Sequence, residues 1–249
     1  MRLRHFSFFM ASVTLALAGC GREGAGCLTP LGPIVERPVA LDMDVLILEL
    51  EDRVDVLWDP TGTEPQALIR AGEGVAGGVS IEQADGVLRI ADLNTCHWVR
   101  DLSAVPQVWL SGIRPDTVHL LGQGAFTMTE TLHGGDLAVI GNEMAGQASL
   151  RFAGDTLQVR MPNGAGHVDI QGRARRLRAF RSGFGDLDAG ALAADQVMLH
   201  HAGVGDVRLF GPGYLYLELG GHGDVHLGGA EGDWNILRLP GATGQVIVD

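Results

Sequence analysis

Three aspartates at nearly constant spacing are the first residues in this sequence that could do chemistry. Asp186, Asp206 and Asp224 each follow a Gly-x-Gly corner. If equivalent segments stack as neighbouring strands, their carboxylates lie about 5 Å apart, and a cation such as Ca²⁺ would relieve their repulsion. In the alternative, each aspartate accepts hydrogen bonds from backbone amides of its own turn. His167 and Gln245 occupy the same corner position and favour this second interpretation.

Four histidines in neighbouring segments are the second candidates: His200, His201, His222 and His226. Two imidazoles and a carboxylate can hold Zn²⁺. Adjacent residues of a strand point to opposite faces, however, so His200 and His201 cannot readily share one ion. His201 has the parity of Leu199 and is expected at a core or corner position. We therefore predict neither a metal site nor a cofactor.

Five arginines are concentrated in two adjacent segments: Arg173, Arg175, Arg176, Arg178 and Arg181. We expect them to solvate one face or to pair with Asp169 and Asp188. Binding of a polyanion stays open as the alternative.

Catalytic patterns are weak by comparison, and we predict no catalytic residue. Ser111 and Ser182 lie beside glycine, but neither stands in the Gly-x-Ser-x-Gly pattern of a nucleophile elbow. A polysaccharide lyase or hydrolase on a β-helix would place carboxylates and arginines in a groove between long side loops. The turns here are too short to build such walls.

The second half of the chain consists of repeats that would position these residues. Equivalent segments begin at Val118, Leu137, Leu157, Leu177, Val197, Leu215 and Asn235, at steps of 19, 20, 20, 20, 18 and 20 residues. Each contains a strand, a glycine corner, a second strand and a turn. Glycine suits the corner because a tight turn requires positive φ or close backbone approach. Such units bury an apolar face only by stacking.

Beyond the corner, apolar residues alternate with polar ones, as in a half-buried strand. Two sets are predicted to stack inward: Val168, Leu187, Val207, Val225 and Val246, then Ile170, Ala189, Leu209, Leu227 and Val248. Between them, Asp169, Asp188, Arg208 and His226 are predicted to point outward. The fold class is therefore all-β, a parallel β-helix or solenoid of about 20-residue coils. Right-handedness is expected from the usual chirality of parallel connections. A sandwich of β-hairpins is the alternative.

The first half is predicted to be rich in strands. Short apolar or alternating runs separated by turn signals extend from Asp44 to Leu110. We divide the chain into a signal peptide (1–19), a Gly- and Pro-rich tether (20–36), a strand-rich part (37–115) and the solenoid (116–249).

The N-terminus is typical of an exported lipoprotein. A basic start and a short apolar stretch end in Leu17-Ala18-Gly19-Cys20, which matches a lipobox. Cys20 is the predicted lipidation site and would anchor the chain in the cell envelope, at the outer membrane.

Export implies an oxidising compartment, in which Cys27 and Cys96 form the one remaining pair. We expect a disulfide between them, two free thiols being the alternative.

The composition argues against some classes of binding partner. Glycine, at 37 of 249 residues, is about twice its usual share. The net charge of −12 argues against nucleic acid or an anionic lipid surface as a partner.

Taken together, the Gly-x-Gly-Asp corners, the lipobox and the segment Asn94-Thr95-Cys96-His97-Trp98-Val99-Arg100 resemble the GIN domain, the head domain named after auto-transporter adhesins. A subgroup of that family has Asn where this chain has His97. The resemblance covers roughly residues 27–249 and implies a β-helical fold in the cell envelope. We do not expect the membrane barrel of an auto-transporter to follow the repeats.

The sequence therefore predicts a non-enzymatic envelope lipoprotein that binds a glycan or protein at the surface, or contributes structure. A carbohydrate-active enzyme on a β-helix is the alternative.

Overall fold

The computed structural model describes residues 30–42, 44–95, 105–229 and 232–248. The described part of the chain is built almost entirely from strands. Its first half contains β1 (Ile34–Ala40), β2 (Ile47–Glu51), β3 (Asp55–Asp59), β4 (Gln66–Gly72), the single helical turn α1 (Glu73–Ala76), β5 (Val79–Ala84), β6 (Val87–Asp92) and β7 (Gln107–Ser111). The strands predicted in this half are confirmed, and β1 lies partly inside the segment assigned to the tether. The division into domains remains a prediction.

The second half consists of strands that recur at the predicted interval. They are β8 (Thr117–Leu120), β9 (Phe126–Met128), β10 (Leu132–His133), β11 (Asp136–Gly141), β12 (Gln147–Met161), β13 (His167–Arg181), β14 (Leu187–His201), β15 (Val207–Phe210), β16 (Tyr214–Leu219), β17 (Val225–Gly228), β18 (Asp233–Arg238) and β19 (Val246–Val248).

These strands form two parallel ladders. Ladder A contains β9, the first halves of β12, β13 and β14, and then β15, β17 and β19. Ladder B contains β8, β11, the second halves of β12, β13 and β14, and then β16 and β18. Because each coil contributes one strand to each ladder, Leu187 lies opposite Val207 and Val207 opposite Val225. The predicted β-solenoid of about 20-residue coils is confirmed.

The interior is filled by the residues that the alternation selected. Val168, Leu187, Val207 and Val225 are register partners in ladder A and are at most 1% exposed. Val246 continues their column but is only half-buried. For Val248 the prediction of an inward position is wrong, because this residue of the last described coil is 51% exposed. A terminal coil has no further neighbour to cover its apolar side chains.

Close approach between coils, rather than positive φ, explains most corner glycines. A Cβ on Gly185 would overlap the carbonyl oxygen of Gly166, and one on Gly223 would overlap that of Gly205. Among the corner glycines 164, 166, 183, 185, 203, 205, 221 and 223, only Gly164 has a positive φ, of 95°. Successive corners therefore stack backbone against backbone.

The N-terminal strands do not follow the order of the chain. β2 lies between β6 and β8 in ladder B, and β3 lies between β7 and β9 in ladder A. The chain thus forms one coil from β2 and β3, leaves to build the end of the solenoid, and returns past that coil to start β8. At that end, β4 pairs antiparallel with both β7 and β1, and β5 pairs antiparallel with β6.

One hydrophobic cluster runs through the described coils, from Leu41 at one end to Leu227 at the other. Trp58 is completely buried within it, against Phe126 and with its indole N–H donating to the carbonyl of Ile113 at 3.2 Å. Within the described ranges, no helix is long and apolar enough to cross a membrane. Cys20, Cys27 and Cys96 lie outside the described residues, so their lipidation and pairing remain predictions.

Candidate functional site

The aspartate column predicted from the corners connects successive coils. A carboxylate oxygen of Asp186 accepts the backbone N–H of Asp206 at 2.8 Å. Asp206 accepts the N–H of Asp224 at 2.9 Å, and Asp224 accepts that of Gln245 at 2.8 Å. Each acceptor therefore bonds to the corresponding amide of the next coil rather than to its own turn. The acidic column thus has a structural role between coils, and cation binding stays open as the alternative.

The histidines divide between the interior and the surface. His201 is fully buried, with Nε2 at 3.1 Å from the carbonyl oxygen of Gly223, and burial lowers its pKa. His200 points outward, and its Nδ1 lies 3.2 Å from a carboxylate oxygen of Glu218. No group of three or more His, Cys, Asp or Glu side chains in the described ranges is arranged to hold a metal ion.

The five clustered arginines differ from their predicted arrangement. Arg175 and Arg176 pair with Asp155, the second at 3.7 Å, and Arg173 lies 3.6 Å from Asp195. The predicted pairing with Asp169 and Asp188 is therefore wrong. Asp188 instead pairs with Arg208 at 2.8 Å, and His167 contacts Asp169 at 3.0 Å.

Arg181 is not a surface residue. Its side chain is 0% exposed and occupies the interior column of β13, where it donates a hydrogen bond to the carbonyl of Gly205. Residues 177, 179 and 181 share one parity, so Arg181 must point inward with Leu177 and Ala179.

The outer face of ladder B carries a groove that runs along the solenoid axis. The first wall is a column of register partners on β12, β13, β14 and β16: Gln158, Arg178, Met198 and Tyr216. The second wall contains Arg160, Phe180 and His200, again in register. Ala179 and Leu199 form the floor, and the open cleft has a volume of about 460 Å³.

The second wall is a stack of planar groups. The rings of Phe180 and His200 are 7° from parallel, with centroids 5.1 Å apart. On the other side of Phe180, the guanidinium carbon of Arg160 lies 6.0 Å from the ring centroid, within the range of a cation–π contact. Because Glu218 contacts Nδ1 of His200, the ring is oriented so that Nε2, which has no partner among the described residues, is available to a ligand.

Two cations of the groove have no acidic partner. Arg160 and Arg178 are exposed, and neither forms an ion pair with any residue in the part of the chain that the structure describes. The chain as a whole is acidic, with a net charge of −12. The groove is thus a local positive site on an acidic protein.

Towards the N-terminal end, the same face continues into a second depression. Gln158 and Arg178 line it together with Asp116, Asp136, Thr156 and Arg176. Asp136 accepts the backbone N–H of Thr156 at 2.9 Å, which holds this carboxylate in place. The polar face thus spans ladder B from β8 to β16.

Sequence reasoning missed this groove because it searched for walls made by loops, whereas the walls are side chains of the strands themselves. The available signal was the outward parity of ladder B. Arg160, Phe180 and His200 recur every 20 residues, as do Gln158, Arg178 and Met198.

The groove lies within a range that matches a known family. A family model described as "Putative auto-transporter adhesin, head GIN domain" matches residues 47–230. The chain belongs to this family. The resemblance noted in the sequence is therefore confirmed. No curated protein matches the sequence.

Solved structures share the fold of this GIN-domain chain. A "putative adhesin" from Bacteroides fragilis has a TM-score of 0.76 at 16% identity, covering 87% of this chain and 97% of that one. A "putative adhesin" from Parabacteroides merdae has a TM-score of 0.60 at 16% identity, covering 88% and 97%. A "Putative lipid binding protein" from Parabacteroides distasonis has a TM-score of 0.56 at 15% identity, covering 87% and 94%.

Proposed function

We propose that this GIN-domain chain is a non-catalytic, adhesin-like binding module of the cell envelope, and that its ligand lies in the groove of ladder B. The observation that carries the proposal is that the groove combines a stacked aromatic wall with two arginines that form no ion pair among the described residues.

The rigidity of the solenoid supports this role. Each wall residue sits on a strand that is paired on both sides, so its position is fixed by the register. A preorganised surface loses little conformational entropy when it binds a ligand. Aromatic and arginine side chains are also the residue types that contribute most to binding energy at protein surfaces.

The family and its relatives support the same class of function. The family is described as "Putative auto-transporter adhesin, head GIN domain", and two structures with this fold are each described as a "putative adhesin". We extend that role to this chain, together with anchoring in the outer membrane through a lipid on Cys20.

The binding role is tested with the purified mature chain on arrays of glycans and bacterial surface proteins. We expect a ligand whose binding falls at least tenfold in Phe180→Ala. The matched control is Phe184→Ala, because Phe184 is 72% exposed at a corner outside the groove. Loss of binding in the Phe184 variant alone would contradict the groove, and absence of any ligand would contradict the proposed function.

The same ligands decide between binding and catalysis. Each glycan that binds is incubated with the wild-type chain, and its products are separated by chromatography. We expect no new reducing ends and no unsaturated sugars. Turnover of any bound glycan by the wild-type chain would favour the carbohydrate-active enzyme instead.

The anchor has its own experiment. Cys20→Ser removes the thiol that would carry the lipid, so the variant should leave the membrane fraction and appear in the soluble fraction of the envelope. A silent surface variant such as His133→Gln serves as the control. Retention of the Cys20 variant in the membrane would contradict lipid anchoring.

A further inference from the structure

The dimensions of the ladder B groove indicate what kind of ligand it takes. We propose that it binds a linear, carboxylate-bearing polysaccharide chain lying parallel to the solenoid axis, an inference that rests on the proposed binding function. Three properties of the groove point to this ligand: the spacing of its wall residues, its charge and the contacts that its side chains can make.

Each wall of the groove takes one residue from each coil. Its walls span β12, β13, β14 and β16, which at a strand spacing of about 4.8 Å is a length of about 14 Å. One hexose unit of a linear glycan has nearly the length of one strand spacing. Successive sugars of a linear chain would therefore each lie over one coil and meet that coil's own pair of wall residues.

The charge of the groove favours an acidic chain. Arg160 and Arg178 stand on opposite walls of one stretch of the groove, on neighbouring strands. The carboxylate that continues the second wall on β16, that of Glu218, is in contact with His200 at 3.2 Å. A guanidinium binds a carboxylate through two parallel hydrogen bonds. Asp116 and Asp136 line the adjoining depression with Arg178, but neither Arg160 nor Arg178 forms an ion pair with a described carboxylate, so both guanidiniums are available to an acidic ligand.

The neutral contacts suit a sugar. Gln158 and Tyr216 supply an amide and a phenolic hydroxyl on the first wall, and His200 supplies Nε2 on the second. Both faces of the Phe180 ring, and the face of the His200 ring towards Phe180, are occupied within the stack. The rings therefore offer their edges to the groove, where the apolar C–H groups of a sugar can pack while its hydroxyls reach the polar atoms.

An extended acidic peptide fits less well. Peptides that bind to sheets add a strand to a free edge and gain backbone hydrogen bonds. The strands beneath the groove have no free edge, because β12, β13, β14 and β16 are each paired on both sides in ladder B.

The experiment compares three probes by isothermal titration calorimetry with the mature chain: an alginate hexasaccharide, the uncharged cellohexaose and a hexaglutamate peptide. We expect the alginate oligosaccharide to bind at least tenfold more tightly than the other two. Arg160→Gln and Arg178→Gln should each weaken it about tenfold. Arg151→Gln removes the same charge from an exposed position outside the groove and should have no effect.

The possible outcomes distinguish failure of the proposed ligand class from failure of the proposed binding function. Equal or tighter binding of cellohexaose would overturn the acidic specificity while leaving a glycan-binding module. Tighter binding of hexaglutamate would overturn the glycan and favour a protein partner. If alginate does not bind although an array ligand does, the inference fails and the proposed function stands. Thermal melting of each variant confirms that the groove mutations act without unfolding the solenoid.

Discussion

Arg181 and His201 are register partners on β13 and β14, and both side chains are 0% exposed inside the solenoid. They continue an interior column that has Met161 on one side and Leu219 on the other. Two ionisable groups thus occupy positions that neighbouring coils fill with apolar side chains. Nε and Nη2 of Arg181 have no hydrogen-bond partner among the described residues, and the same is true of Nδ1 of His201.

Stability should decrease in mild acid because of His201. Burial, followed by the positive charge of Arg181, lowers the pKa of His201, whereas an unfolded histidine titrates near about 6.5. The unfolded chain therefore takes up the proton first, and acid favours unfolding. The contribution of His201 to the free energy of unfolding has its full value above about pH 6.5. This contribution is lost as the pH falls through the lowered pKa of this residue in the folded chain.

Urea denaturation between pH 7.5 and 5 measures this dependence. His201→Leu introduces the residue type that Leu219 supplies in the next coil and should flatten the profile, whereas His133→Gln at an exposed site should not. An unchanged slope in the His201 variant would show that other groups control the acid response.

Replacing Arg181 by methionine should stabilise the protein. Burial also lowers the pKa of Arg181, and a guanidinium with unpaired buried donors carries a desolvation cost that an apolar side chain avoids. Arg181→Met repeats the residue type of its register partner Met161, and we expect it to raise the free energy of unfolding by about 1–3 kcal/mol. Arg181→Ala should lower it, because the truncation leaves a cavity. A Met variant less stable than wild type would mean that the bond to Gly205 outweighs desolvation.

A methyl group at a stacked corner should destabilise the solenoid. In Gly223→Ala the new Cβ overlaps the carbonyl oxygen of Gly205, so adjacent coils must separate. We expect a loss of about 3 kcal/mol in the free energy of unfolding. Gly77→Ala is the matched control, since nothing lies within 4 Å of its added Cβ, and it should change stability by less than about 0.5 kcal/mol. Similar losses in both variants would argue against close stacking at the corner.

The aspartate column should stabilise the solenoid through hydrogen bonds rather than by binding a cation. Asp206→Ala removes the acceptor of the Asp224 amide and should cost about 1–2 kcal/mol, while Asp206→Asn keeps an acceptor oxygen and should cost less. Thermal melting of wild type should be the same with Ca²⁺ and with EDTA. A rise of several degrees in Ca²⁺ that disappears in Asp206→Asn would instead establish the cation site.

The repeat itself was predictable from the sequence. Period-two alternation determines which side chains share a face of a strand, so the alternation alone assigned Val168, Leu187, Val207 and Val225 to one buried column. The interval between corners set the register, and the parity of His201 indicated a core or corner position. These properties depend on neighbours along the chain or on one repeated interval.

Only the tertiary structure decided the rest. Local alternation does not select a partner among similar strands, so nothing indicated that β2 would pair with both β6 and β8. An arginine is usually exposed, but the parity of residue 181 along β13 places its side chain inside the solenoid. The groove arises because Arg160, Phe180 and His200 come from three strands about twenty residues apart and meet only when the coils stack. The sequence thus determined the coil, and the packing of coils against one another created the groove.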